Sequence, residues 1–453
     1  MLVKFICENF MSFKNEIVLD MAASSSMSQH KNHIIQDTPG KKVSFLRASA
    51  IYGANASGKS NLIKAIHFAK KFILSRTELD QSIQVTPFKL SRKSQNNPSR
   101  FEFLVKHKGL LYHYGFVVNR QKVIEEWLYV TKKQEVKWFE RTTDGRNKVS
   151  VDIGSALANK GSKKRQRLEF IGEGMLPNQL YFNKAVNNNV EELIPLFRWF
   201  QNVLQIITPS DEYPTLAVRA ARDKDFTNKL ATILKLADVG IDGIEIKREK
   251  LDFDSHFPFI SEETRKDILG KVKHGDVVNI KGPFGTFIIQ EEKGELIVLK
   301  LFTQHQLSSD ENGRILFELE EESDGTLRLM NLAPVLIDLT NEENVFVIDE
   351  LARSLHPMLT RFFVDYFLNS TLPDSRSQMI FTTHDTHVLD LDLLRRDEIW
   401  FLEKDEKESS TLYSLSDFKP RKDLKIEKGY LQGRFGALPF IGDPSQLGLE
   451  PKQ

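Results

Sequence analysis

The sequence predicts an α/β protein: a phosphate-loop core, an antiparallel β lobe and an inserted α+β lid, with no long coiled coil. Three observations carry that prediction. A short β-prone run, Ala48 to Tyr52, leads into GANASGKS (Gly53 to Ser60) and then into a helical pattern. A second apolar run, Asn344 to Ile348, ends in Asp349-Glu350, about 290 residues after the lysine of that loop. Between the two, Phe101 to Val118 alternates apolar and polar residues around Lys108-Gly109, which reads as a β-hairpin.

The first element is the most explicit. Leu62, Ile63, Ile66, Ala69 and Ile73 recur at helical spacing after the loop. Strand, Gly-x-x-x-x-Gly-Lys-Ser, helix is the context a phosphate-binding loop needs. Its glycines let successive N–H groups turn toward one phosphate, and the helix start adds the positive end of its dipole. Lys59 would bridge the β- and γ-phosphates of ATP, and the Ser60 hydroxyl would ligate Mg²⁺. Gly53, Asn55, Ser57, Gly58 and Asn61 complete the candidate nucleotide-binding residues.

The second element supplies acid–base chemistry. A near-continuous apolar run suits a parallel strand buried on both faces. Asp349 at its carboxyl end would hold Mg²⁺ through water, and Glu350 would polarise the attacking water as general base. Met379 to Thr383 (MIFTT) forms another apolar strand that ends at His384-Asp385. His384 would sense the γ-phosphate by hydrogen bonding.

In chain order, GANASGKS, SDGTLRL (Ser323 to Leu329), VFVIDE, ARSLHP and FTTHD resemble the ABC-class ATPase heads, within the stand-alone group of SMC-like, RecF-like and OLD-family proteins. ENFMSFKNE (Glu8 to Glu16) is similar to that group's first strand pair, and KGYLQGRFGALP (Lys428 to Pro439) resembles a C-terminal element of RloA-like AAA-type ATP-binding proteins. The resemblance covers about the first 115 residues and the last 140. It implies that two protomers sandwich two nucleotides. Ser323 and Gly325 would then cap the γ-phosphate held by the partner, and Leu351 to His356 would form a loop at the dimer seam. Ser-Asp-Gly stands where the usual signature has Ser-Gly-Gly, and Asp324 near a γ-phosphate would be repulsive unless it points away. The class also uses a glutamine on Mg²⁺; Gln81 and Gln84 both lie in the right stretch, and Gln84, just before the strand-like VTPF, is the expected ligand.

The rest of the chain is organised around these motifs. The expected division is 1–84 for the first part of the core, 85–148 for the β lobe, 149–310 for the lid and 311–453 for the second part of the core. Ile124 to Phe139 continues the strand character of the lobe. Within the lid, Glu191 to Ile207 and Phe226 to Ala237 read as helices, with Gly240 a stop for the second. Asp242 to Leu251 and Val277 to Leu301 read as strands. The basic cluster Lys160, Lys163, Lys164, Arg165 and Arg167 reads as an exposed loop, either solvated or a contact for a nucleic-acid backbone. Arg395 to Glu398 (RRDE) and Lys404 to Ser410 (KDEKESS) read as surface turns, and Gly433 with Gly436 as a tight turn beside Arg434.

Composition closes off other classes. The chain has 453 residues, with 63 Lys plus Arg against 62 Asp plus Glu, so it is no polybasic nucleic-acid coat. A single cysteine, Cys7, excludes a disulfide framework and reads as a small core residue. No apolar run reaches membrane-spanning length, and the expected location is the cytoplasm. No acidic nuclease cluster follows Phe440, unlike the OLD-family proteins.

Together these readings imply an ATP-driven switch that dimerises its heads and controls a partner. RloA-like ATPases sit in prokaryotic anti-phage defence, often beside a separately encoded effector, so a second copy of the chain and a nuclease-like effector are the expected partners. A RecF-like DNA-repair or DNA-end-binding ATPase, with nucleic acid as the partner, is the alternative. A non-hydrolysing nucleotide-dependent scaffold is a third reading. An ABC transporter subunit fits least, because those subunits need a far shorter gap between the two nucleotide motifs.

Overall fold

The computed structural model describes residues 1–25, 27, 29–36, 43–76, 81–209, 216–258, 260–273, 277–282, 285–307, 313–340, 343–370, 375–420 and 425–439. The chain forms two compact units, one of Met1–Ile207, Asn341–Leu351 and Leu368–Gln453, the other of Thr208–Thr340 and Ala352–Phe367.

The first unit holds two large sheets. In one, the strands run in the order Leu204–Ile207, Val345–Ile348, Gln378–Thr382, Ala48–Gly53, Ile399–Lys404 and Ser410–Ser414. All neighbours are parallel except the last pair. Every residue of Ala48–Gly53, Val345–Ile348 and Gln378–Thr382 is buried, which is why these segments read as largely apolar runs.

The other sheet is antiparallel and has seven strands, from Val149–Ile153 through Glu135–Thr143, Val123–Thr131, Leu110–Val118, Ser99–His107 and Leu2–Glu8 to Ile17–Asp20. Its central hairpin turns at Lys108 and Gly109, both at positive φ, the geometry of a two-residue type I′ turn. Cys7 is wholly buried in the strand Leu2–Glu8. The 16-residue helix Lys59–Leu74 packs on this sheet through its own aromatics. Phe68 lies 5.1 Å from Phe101 and Phe72 lies 5.5 Å from Phe116, measured between ring centres. Such pairs add to simple area burial and fix the helix on which the phosphate loop opens.

Glu126 ties a further element to this sheet. Wholly buried, it accepts from the backbone N–H of Tyr181 (2.6 Å) and Phe182 (2.9 Å) and from the Tyr114 hydroxyl (3.0 Å), so it holds the start of the helix Tyr181–Asn187. Burial pushes its pKa up to about 7, against those donors and Arg141. A carboxyl whose pKa is higher folded than unfolded stabilises the fold fully below its unfolded pKa and loses that contribution as pH rises through 7. Stability by denaturant titration is expected to fall by roughly 3 kcal/mol from this group between pH 4.5 and 8. Glu126→Gln should flatten that slope; a slope identical in both proteins would contradict the assignment.

The second unit contains an antiparallel sheet in the order Ile241–Lys250, Glu295–Gln306, Gly285–Glu292 and Val278–Gly282, with Arg314–Glu318 also paired to Glu295–Gln306. The helices Leu216–Arg222, Lys224–Leu236 and Asp324–Ile337 share its core with Leu230, Leu234, Leu299, Leu329 and Met330. Gly240, at φ +79°, follows Lys224–Leu236 and precedes the first strand. Among the described residues the longest helix has 16 residues, so no long coiled coil is present there.

Three expectations are corrected. Glu191 to Ile207 is helical only through Val203; Leu204–Ile207 is instead a strand lying parallel to Val345–Ile348. A short apolar run with two isoleucines fits either period, and the free edge of the parallel sheet decides it. The basic cluster is not an open loop. Ser162 caps the helix Lys163–Glu173 by accepting from the Arg165 N–H. Lys164 pairs with Glu192, Arg165 with Glu169, and Arg167 donates to the Asn188 carbonyl. Finally, RRDE is no surface turn: Arg395, Asp397 and Glu398 are buried. Arg395 Nη2 lies 2.8 Å from Asp397, and Glu398 lies 3.1 Å from buried His33.

Candidate functional site

The parallel register brings three loops out on one edge of the six-stranded sheet. Ile348 pairs with Phe381 and Thr382 with Ile51, so Asp349, Thr383 and Gly53 leave their strands side by side. The carboxyl edge of a parallel sheet is where such folds bind ligands.

Ala56 at φ +64° and Gly58 at φ +114° curl the loop. Gly58 allows no side chain: a Cβ there would stand 2.5 Å from Ser410 Oγ and 2.8 Å from Ser12 Oγ. Those two serines buttress the loop. Ser410 Oγ donates to the Ser57 carbonyl (2.6 Å), and Ser12 Oγ accepts from Asn61 Nδ2 (2.9 Å). The helix Lys59–Leu74 opens without any side-chain cap, which leaves its first N–H donors for an anion.

Lys59 is 8% exposed and its ammonium donates to the carbonyls of Gly53 (2.6 Å) and Ala54 (3.0 Å). Burial lowers its pKa, while the charges of Glu350 and Asp349 act in the opposite direction. The sheet register brings the loop that carries the lysine and the strand that ends in both carboxylates to the same edge. Among the described residues the Ser60 side chain makes no hydrogen bond.

Thr382 organises the carboxylates. Its Oγ1 donates to Asp349 Oδ1 (2.6 Å) and accepts from the Glu350 N–H (2.8 Å), while its carbonyl accepts from the Leu351 N–H (2.9 Å). Glu350 sits at φ +49°, a left-handed conformation that costs a non-glycine residue about 1–3 kcal/mol. The three hydrogen bonds to Thr382 hold the chain in that conformation.

His384 and Gln84 make no hydrogen bond to this cluster among the described residues. His384 is exposed just beyond Gln378–Thr382 and makes no hydrogen bond among the described residues. Gln84 is exposed, and its amide donates to the Ser82 carbonyl (3.3 Å) and hydroxyl (2.9 Å). Gln81 is also exposed, and its carbonyl accepts from Asn178.

Ser323 and Gly325 belong to the second unit. Ser323 caps the helix Asp324–Ile337, accepting from the Thr326 N–H at 3.1 Å. A Cβ on Gly325 would stand 2.7 Å from the Ser354 carbonyl oxygen, so this close approach requires glycine. Asp324 is exposed.

Sequence reasoning missed Thr382, Ser410 and Ser12. The doubled threonine of FTTHD is a signal for the first, since a hydroxyl ending a buried strand needs a partner. The residues at the sheet edge fit a nucleoside triphosphate with Mg²⁺: uncapped helix N–H groups, a buried ammonium, an unengaged hydroxyl and a carboxylate pair.

Residues 48–390 match the family model described as "AAA domain, putative AbiEii toxin, Type IV TA system". No curated protein matches the chain. Among solved structures, the chain is similar to the SMC head domain from Thermotoga maritima, at 13% identity and a TM-score of 0.35, covering 91% of this chain and 98% of that one. It is also similar to an SmcHead bound to the C-winged helix domain of ScpA, at 14% identity and a TM-score of 0.38, covering 94% and 99%. A third is the Smc head domain with an extended coiled coil bound to the C-terminal domain of ScpA derived from Pyrococcus furiosus, at 12% identity and a TM-score of 0.35, covering 96% and 98%.

Proposed function

Since the chain belongs to this family of AAA domains, we propose that it is an ATP-binding and ATP-hydrolysing switch of the ABC-class kind. One observation carries the reading: the sheet register brings a buried lysine at an uncapped helix start to the same edge as a strand-end Asp-Glu pair. Lys59 and the N–H groups of the loop and helix start hold the triphosphate, with Asn55, Ser57, Gly58 and Asn61 shaping its bed. Ser60 and Asp349 would hold Mg²⁺, with Gln84 as a further candidate ligand. Mg²⁺ held there would supply charge neutralisation for the triphosphate. Glu350 takes a proton from the attacking water, and His384 reads the γ-phosphate. Ser323 and Gly325 of a second copy cap that phosphate, so ATP draws two heads together and hydrolysis releases them.

The switch acts on a separately encoded effector in prokaryotic defence, a placement supported by the toxin–antitoxin description of the family.

Phosphate release by the purified chain tests the chemistry. Slow release from ATP is expected with Mg²⁺ present, and its loss is expected on chelation with EDTA. Undetectable release with Mg²⁺ present would leave a nucleotide-dependent scaffold and contradict hydrolysis.

A further inference from the structure

A second polar cleft lies on the first unit, lined by none of the residues assigned above. It encloses about 540 Å³, within the range of small-ligand sites, and no carboxylate lines it. Lys89 and Arg120 supply its positive charge, and Asn96, Asn97, Asn119 and Gln121 supply amides. Neither cation has a carboxylate partner among the described residues, and both are exposed. Exposed Arg92 and Lys93 lie on the short helix Arg92–Asn96, their side chains also without a carboxylate partner among the described residues.

Asn96 Nδ2 donates to the Arg92 carbonyl (3.2 Å), and the other three amides keep donors unused among the described residues. Asn119 Oδ1 is occupied by the N–H groups of Gln121 (2.9 Å) and Lys122 (2.8 Å). Its NH₂, and the side-chain amides of Asn97 and Gln121, make no hydrogen bond among the described residues. Cations beside paired donor-and-acceptor amides match a phosphate with an adjoining base edge, since Asn and Gln can pair with base edges and Arg and Lys with phosphate. The lining has no aromatic ring, so bases would be met at their edges rather than stacked.

A strap connects this cleft to the phosphate loop. Asn9 is buried at φ +51°. Its side chain donates to the carbonyls of Ser94 (2.8 Å), Asn97 (2.9 Å) and Pro98 (3.1 Å) and accepts from the Phe88 N–H (3.3 Å), gripping the cleft's rim from both sides. Three residues on, Ser12 touches the loop: its carbonyl accepts from the Ser410 N–H (2.8 Å) and its hydroxyl from Asn61. Met11 N–H, between them, donates to the Thr86 carbonyl (2.8 Å).

We propose that this cleft binds a nucleotide unit, a phosphate with its adjoining base, and that the strap from Asn9 to Ser12 couples its occupancy to the phosphate loop. The coupling, though not the binding, rests on the ATP reading of that loop. The unit comes either from a single strand of nucleic acid or from a free mononucleotide.

The test is fluorescence anisotropy with a labelled single-stranded DNA of about 20 nucleotides, first without ATP. Lys89→Ala with Arg120→Ala should weaken binding at least about tenfold and reduce the salt slope by about 1.4, the loss of two phosphate contacts on a single strand. Lys163→Ala with Lys164→Ala should leave it unchanged. DNA bound far more tightly than AMP, which lacks the β-phosphate the loop needs, identifies a strand; comparable affinities for both identify the free nucleotide. Binding insensitive to Lys89 and Arg120, or displaced equally well by polyglutamate, would overturn the proposal. ATP·Mg²⁺ should then change the DNA affinity several-fold, and Asn9→Gly, which keeps the backbone conformation, should abolish that change while DNA still binds. An ATP effect that survives Asn9→Gly would overturn the coupling. Loss of all ATP binding with DNA binding intact would instead overturn the reading of the phosphate loop.

Discussion

Lys59→Ala is expected to lose ATP binding by a factor of about 100 or more, measured by calorimetry with the hydrolysable nucleotide and Mg²⁺. The buried ammonium makes its only described hydrogen bonds to the carbonyls of Gly53 and Ala54, both within the loop itself. With triphosphate present those donors turn to two phosphate oxygens, and each charge-assisted bond contributes about 1.5–3 kcal/mol. Losing two of them costs two orders of magnitude or more in affinity. The fold should survive, because Leu62, Ile63, Ile66 and Ala69 hold the helix on its sheet independently of the lysine. A thermal transition near that of the unaltered chain, with no nucleotide binding, is therefore the expected pair of results. Affinity within threefold of the unaltered chain would remove Lys59 from the site.

Glu350→Gln should slow turnover by roughly 10²- to 10³-fold while ATP affinity stays within a few-fold, because general-base catalysis is worth that much and binding does not use the carboxylate. The amide keeps the size of the side chain. The left-handed backbone at position 350 is held by Thr382, through bonds to main-chain atoms of Glu350 and Leu351 that the substitution leaves alone. The readout is single-turnover phosphate release at saturating ATP. An unaltered rate would show that another group activates the water, and reduced binding with an unaltered rate would place Glu350 in nucleotide recognition.

The parts of this fold that were legible in the sequence are those where one local rule dominates. Gly58 reads as glycine because only glycine fits its φ and the two serines beneath it. Ala48–Gly53, Val345–Ile348 and Gln378–Thr382 read as apolar runs because both their faces are covered. The hairpin at Lys108-Gly109 reads from alternation around a turn dipeptide. What was not legible depends on partners distant in the chain. Leu204–Ile207 becomes a strand because the edge of Val345–Ile348 is free to receive it. Arg395, Asp397 and Glu398 look like a solvated turn until Asp397 meets the guanidinium and His33 meets Glu398 from more than 360 residues away. Thr382, Ser12 and Ser410 act on the candidate site through hydrogen bonds to groups that are remote in sequence, so no spacing rule marks them.

The most direct measurement of the central claim is the solution mass of Glu350→Gln, by light scattering, with and without ATP·Mg²⁺. Slowed turnover holds the triphosphate in place, so any closure of two heads around it accumulates. The account predicts an ATP-dependent doubling of mass, in steps of the 52.1 kDa chain, that disappears with Lys59→Ala and when Gly325 is given a bulkier side chain. A mass that stays constant at saturating, bound ATP would contradict the two-headed switch.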